Sequence, residues 1–306
     1  MTTAVRKTQD AAREATVAKL GQIPTGDRVR GLAFRLLVLT SAMLGVAGLL
    51  ALIIQSGVVG AERLNLDLFT QGPSSLAEEG GFLAGILGTL FVIGGVLVTA
   101  VPLGIGAAIY LEEFAKKENW FNRLIELNIQ NLAAVPSIVF GILGLGLIVR
   151  GPIGLGGVAF AGSLTLALLV LPTVILASRE ALRAVPTSIR EGAMALGATR
   201  WQAVRHQVLP SAVPGMATGS ILALSRAIGE TAPLLLVGAA VFVTANPDNP
   251  FEGAYTVLPV QIYNYVARPQ EEFQVLAAAG IIVLLIVLIV MNSGAIWLRN
   301  RFATRW

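Results

Sequence analysis

In the run SRAIGETAPLLLVG, Arg226 and Glu230 stand four residues apart among apolar neighbours. That spacing is about one helical turn, so a helix would set guanidinium and carboxylate on one face, in the weaker Arg-before-Glu order. Counted from Pro214, Arg226 lies 12 residues into the apolar stretch, roughly 18 Å at 1.5 Å per residue and close to mid-bilayer. An arginine there costs about 2.5–3.5 kcal/mol on insertion scales, so something must offset it. Either the two charges neutralise each other and brace a helix bundle, or the guanidinium meets an oxyanion in transit, for which its planar fork is suited. In the second case Glu230 holds the arginine while the path is empty and keeps the anion from binding too tightly to leave. Pro233 has no N–H to give the carbonyl of Gly229. A polar, interrupted helix at this depth is tolerated only against protein or a water-filled cavity.

The rest of the chain reads as the frame for that pair. Of 306 residues, 55% are hydrophobic and only 13% charged, with mean hydropathy +0.75. Soluble domains carry about 25% charged residues, so an all-α integral membrane protein is expected. There is no cysteine and a single histidine, His206, which excludes disulfides, thiolate chemistry and a multi-histidine metal site. One histidine and one membrane carboxylate are too few parts for an intramembrane protease. No Gly-rich phosphate loop of the GxxxxGK[ST] type is present, so the chain does not itself hydrolyse ATP. No short apolar segment with a cleavage site opens it, and a removable signal peptide is not expected.

Six apolar runs are long enough for spans: about 32–54, 82–111, 127–149, 158–177, 213–243 and 275–298. They leave an N-terminal arm, 1–31, a long connection, 178–212, and a C-terminal tail, 299–306. Eighteen Lys and Arg fall in residues 1–35, the 2–3 loop, the 178–212 connection and the tail; three fall on the other side. The positive-inside bias therefore puts both termini in the cytoplasm, and the basic residues report topology rather than a nucleic-acid surface. The outer loops 55–81 and 244–274 are long, as lids and docking surfaces often are. Small residues inside the spans, such as Gly85, Gly88, Gly141 and Gly144, are read as close intramolecular helix packing.

Residues 178–212 are too many for a simple connector. Ser188 has capping-box spacing to Glu191, Ala193, Met194, Leu196 and Ala198 give a modest apolar face, Gly197 allows a turn or close approach, and Trp201 adds a bulky anchor. Leu209-Pro210 ends the segment before the fifth span. Periodicity leaves a partner-docking helix and an interfacial membrane helix equally open. Glu191-Gly192-Ala193, three residues, Gly197 and then Leu209-Pro210 resemble the EAA loop of ABC-importer permeases, with Gly192 where alanine is common and Gln207 where an aliphatic residue is common. The resemblance implies a MetI-like six-helix bundle whose Glu191, Gly192, Ala193, Leu196, Gly197 and Trp201 dock on a cytoplasmic ATPase.

The stretch LSRAIGETAPLLLVG, with DLFTQGPSSLAEEGG, Val135-Pro136-Ser137-Ile138-Val139-Phe140-Gly141 and LPVQIYNYVARP, resembles phosphate-importer permeases of the Pst system, their PstA rather than their PstC members. That family implies a bacterial inner-membrane protein pairing with a PstC-like permease, a PstB-like ATPase dimer and a PstS-like phosphate-binding protein. ATP and Mg would belong to the ATPase, and this chain needs no cofactor of its own. Arg226, Glu230 and Ser137 are the candidate path residues, Ser137 having a Pro-Ser kink as its alternative role. Permeases for sulfate or molybdate, and a proton-coupled carrier with Arg226 and Glu230 as relay, remain as rivals.

Overall fold

The computed structural model describes residues 25–116, 118–239, 243 and 248–302; most of the N-terminal arm and half of the tail lie outside them. The described residues are helical, the one β contact being an isolated bridge between Ala239 and Tyr255. The chain divides into two units, 1–55 and 56–306. The first contains most of helix α1 (Thr25–Gly60), an apolar rod exposed along nearly its whole length.

The second unit holds α2 (Asp67–Thr70), α3 (Leu83–Ile109), α4 (Trp120–Ala133), α5 (Ser137–Leu143), α6 (Ala159–Arg183), α7 (Thr187–Ala195), α8 (Arg200–Ala203), α9 (Leu209–Ile228), α10 (Ala232–Leu236), α11 (Leu258–Val266) and α12 (Glu271–Phe302). Among the described residues, five helices are long and apolar enough to cross a membrane: Val29–Arg63, Leu83–Phe114, Ala159–Arg183, Arg200–Ile228 and Glu271–Arg301. A sixth candidate is the broken pair Trp120–Ala133 and Ser137–Val149, bent by 108°. The apolar run at 127–149 is thus not a straight rod. The bend falls where Val135 precedes Pro136, because a residue before proline is pushed out of the helical region.

The run at 213–243 also departs from a single span. Its helix starts far earlier, at Arg200, and stops at Ile228. Leu209-Pro210 does not end the preceding segment: a wider π-type turn over Val204–Val208 leads straight into α9, with Pro210 in the first turn after it. Such a turn loosens the ladder at the point where proline can supply no N–H.

Helices α3, α6 and α9 pack around Val92, Val96, Leu166, Val170, Ala223 and Ala227. Glycine permits the closest approaches. A Cβ at Gly88 would collide with the carbonyl of Thr256, and one at Gly141 would stand 2.7 Å from the Cα of Pro233. Gly94, Gly106 and Gly146, by contrast, face open space. The segment 244–274 is more than a loop, because α11 is almost wholly buried against α3 and α12. Gln261 donates from Nε2 to the Gly81 carbonyl at 2.7 Å and to the Tyr265 hydroxyl at 3.0 Å, and the Leu258 N–H donates to Thr89 Oγ1 at 3.0 Å. Burial pushes the Tyr265 hydroxyl up, against the pull of Gln261 and Arg268, so it remains a neutral phenol. Arg63 ties down the other long loop by donating from Nη2 to the carbonyls of Ala77 and Glu78 at 2.6 and 2.7 Å.

Candidate functional site

Helix α9 ends two residues beyond Arg226, well short of a full crossing from Pro214. The N–H groups of Gly229 and Glu230 bond back to the carbonyls of Arg226 and Ala227, tightening the last turn. The Thr231 hydroxyl donates to the Gly229 carbonyl at 3.4 Å, supplying a donor where Pro233 cannot. Glu230 is therefore not on a continuous helix with Arg226. The pair nevertheless forms: Arg226 Nε lies 3.4 Å from Glu230 Oε1.

This single long contact leaves most of the guanidinium unused. The Arg226 side chain is 61% exposed and Glu230 16%, and no other partner for Arg226 is found among the described residues. The fork that could take two oxygens of an anion is open on the surface of this chain. Arg226 also sits in the last turn of α9, where the helix dipole favours a cation. Ser137 occupies the first position of α5, directly after Pro136. It makes no hydrogen bond to the pair, although α5 packs on α10, the helix just beyond Glu230.

The segment that resembles the EAA loop is α7 with the turn that follows. No residue of α7 is buried. Glu191, Gly192 and Gly197 are exposed, Ala193 is half-buried, and the Leu196 side chain stands 91% exposed. Ser188 does not cap this helix: α7 begins at Thr187 behind Pro186 with no side-chain cap. The capping box lies twelve residues further on, where Thr199 and Gln202 bond each other's backbone N–H at the start of α8. Gly197 supplies a turn rather than a close approach, with φ +88° and nothing near a would-be Cβ. Trp201 is half-anchored, its ring 6.1 Å from that of Phe114.

One helix joins the two parts. From Arg200 to Ile228 the chain runs as a single candidate span of 29 residues, with Trp201 at its start and Arg226 at its end. Their separation along the axis is roughly 38 Å at 1.5 Å per residue.

A second link was not anticipated from sequence. The π-type turn Tyr110–Phe114 at the end of α3 carries Glu112 and Glu113. Glu113, 5% exposed, accepts from Arg190 of α7, with Nη2 at 2.7 Å and Nε at 3.1 Å from Oε1. Arg190 also donates to the carbonyls of Leu182 and Val185 at 2.8 and 2.7 Å. Beside it Glu112 accepts from Arg179 at 3.3 Å and Arg183 at 3.0 Å, and Arg179 reaches Glu126 of α4 at 2.9 Å. The signal was present: two adjacent carboxylates close an apolar run, on the same side as an Arg-rich connection. The positive-inside bias uses those arginines as topology markers and is silent on their partners.

Residues 100–304 match the family described as the binding-protein-dependent transport system inner membrane component. The phosphate transport system permease protein PstA of Haemophilus influenzae is 34% identical over 76% of this chain and 80% of that protein. PstA 1 of Mycobacterium tuberculosis H37Rv is 35% identical over 72% of this chain and 70% of its own length. Among solved structures, an inward-facing MetNI methionine ABC transporter aligns with TM-score 0.57 at 19% identity, covering 73% of this chain and 96% of that one. A bacterial ABC transporter involved in import of the acidic polysaccharide alginate aligns with TM-score 0.60 at 17% identity, covering 91% and 99%. These two share the fold. The chain belongs to the binding-protein-dependent transport system inner membrane components, in the branch that holds the PstA permease proteins.

Proposed function

We propose that this chain is one permease half of an ATP-driven phosphate importer in a bacterial inner membrane, with both termini in the cytoplasm. Its partners are a PstC-like permease, a PstB-like ATPase dimer and a PstS-like phosphate-binding protein. The observation that carries the reading is the continuity of Arg200–Ile228: one helical run starts directly behind the docking turn and ends with the membrane cation. The names of the relatives supply the anion.

In this reading the binding protein delivers phosphate from outside, and the open fork of Arg226 takes two of its oxygens in place of water. Glu230 competes for the same guanidinium, which keeps the anion's dwell short. Nucleotide and its Mg²⁺ act on the partner ATPase. Closure of that dimer pushes the exposed face of α7 and Leu196, and the push passes through α8 and α9 to Arg226 and through Arg190–Glu113 to α3. The membrane opening then moves from one side to the other as a rigid-body change.

The assembled complex in proteoliposomes tests this. Phosphate with its binding protein is expected to stimulate ATP hydrolysis and to accumulate inside. Stimulation by sulfate or molybdate instead would move the substrate to another oxyanion. Uptake that follows the proton gradient and survives without ATP would discard the importer altogether.

A further inference from the structure

A cavity lies away from the charge pair. It is a groove of about 660 Å³ between α3, α9 and α12. Leu224 and Ile228 line it two residues to either side of Arg226, so it opens about 200° around α9 from the guanidinium. A surface there belongs to the flank turned away from the anion path.

Its walls are apolar, from Leu90 and Leu97 on α3 to Met291 and Leu298 on α12, with one charged side chain, Arg299, at its end. Arg299 Nη1 donates to Thr218 Oγ1 at 2.8 Å, and Nε and Nη2 donate to Asn300 Oδ1 at 3.1 and 2.9 Å. These acceptors are neutral: they orient the guanidinium without cancelling its charge. No carboxylate pairs with Arg299 among the described residues, whereas Arg179, Arg183 and Arg190 each have one. The end of α12 offsets part of the charge through its dipole and leaves the rest for an anion arriving from outside the chain.

We propose that this groove is a binding site for an anionic phospholipid of the cytoplasmic leaflet, one acyl chain lying between α3, α9 and α12 and the phosphodiester resting on Arg299. Both ends of the groove match such an occupant. The apolar length accepts hydrocarbon, and the oriented cation meets the headgroup at the side that the charge bias assigns to the cytoplasm, where basic pockets between membrane helices take anionic headgroups. Neither a free anion nor a neutral lipid satisfies both ends.

The test is native mass spectrometry of the purified permease–ATPase complex exchanged into phosphatidylglycerol or phosphatidylethanolamine of the same acyl composition. The wild-type complex should retain phosphatidylglycerol over phosphatidylethanolamine by roughly fivefold, the worth of one basic residue near the surface, and inorganic phosphate should not displace it. Arg299→Gln should bring the ratio to about one. Gly294→Leu, at a groove residue where an added side chain meets nothing, should fill the space and reduce retention of both lipids. An unchanged preference in Arg299→Gln, undiminished lipid in Gly294→Leu, or a partner helix seated in the groove of the assembled complex would overturn the proposal.

Discussion

Removing the Arg190 side chain as Arg190→Met tests whether α7 works as a lever attached to the membrane body. Among the described residues Glu113 has one cationic partner, Arg190, and both are largely buried, at 5% and 19% exposure. The substitution leaves a carboxylate buried and unpaired and takes donors from the Leu182 and Val185 carbonyls. Breaking a buried pair from one side costs about 3–5 kcal/mol. What remains would be Ile189 of α7 packed against the apolar cluster that includes Ala108 and Leu111, and, one helix on, Phe114 against Trp201 and Arg200 of α8, the latter of order 1 kcal/mol. Even the lower figure of about 3 kcal/mol shifts the ratio of attached to detached α7 by roughly two orders of magnitude. The assembled complex should therefore still hydrolyse ATP while phosphate carried per ATP falls at least tenfold. Hydrogen exchange across 187–197 should speed up without change in α6. Glu113→Gln, which keeps an acceptor and loses only the charge, should fall between the two. Unchanged transport per ATP together with unchanged exchange in Arg190→Met would refute the attachment and leave the helix from Arg200 to Ile228 as the sole route.

Arg226→Gln should abolish phosphate uptake in proteoliposomes while the complex still co-purifies, and Arg226→Lys, which keeps charge but loses the two-pronged fork, should retain a small fraction; full uptake in either removes the substrate role. Leu196→Asp should leave expression of this exposed position unchanged and weaken recovery of the ATPase in pull-downs; equal recovery counts against α7 as the docking face. Gly197→Val puts a β-branched residue at φ +88°, at about 1–2 kcal/mol of strain, and should loosen the α7–α8 turn, seen as faster hydrogen exchange at 196–199. Gly88→Val sets a side chain against the Thr256 carbonyl and should lower the melting temperature of the purified complex; an unaltered value would mean that segment is free to move aside.

Membrane character and helical class were legible because composition and run length answer to the bilayer directly. The family lay in Glu191–Gly197 and in LSRAIGETAPLLLVG, where residue type and spacing carry the signal. Helix ends were less legible. Leu209-Pro210 looked like a stop because proline ends helices, but a π-type turn five residues earlier lets the helix pass. Ser188 has the right spacing for a cap while Pro186 already fixes the start of α7, and the working capping box lies at Thr199–Gln202. The Glu113–Arg190 pair joins residues 77 apart, which no local pattern reports. The bend at Pro136 could be suspected from the proline, but its 108° accompanies the packing of α5 on α10, a contact between residues some ninety positions apart that no local pattern reports.

The short α9 explains why a costly cation can stay in the membrane. Had the helix continued to Val243, Arg226 would have faced lipid or neighbouring helices at mid-depth with only Glu230 to answer it, and burial would have favoured sealing the pair. Ending at Ile228 instead places Arg226 at the negative end of the α9 dipole and beside an irregular segment, Gly229–Thr231. Irregular backbone at membrane depth persists only beside protein or water, so the break also calls for a wet or protein-lined space next to the guanidinium. The same feature that accommodates the arginine makes it available to an anion, and it is why the pair is held by one 3.4 Å contact instead of a closed bidentate bridge.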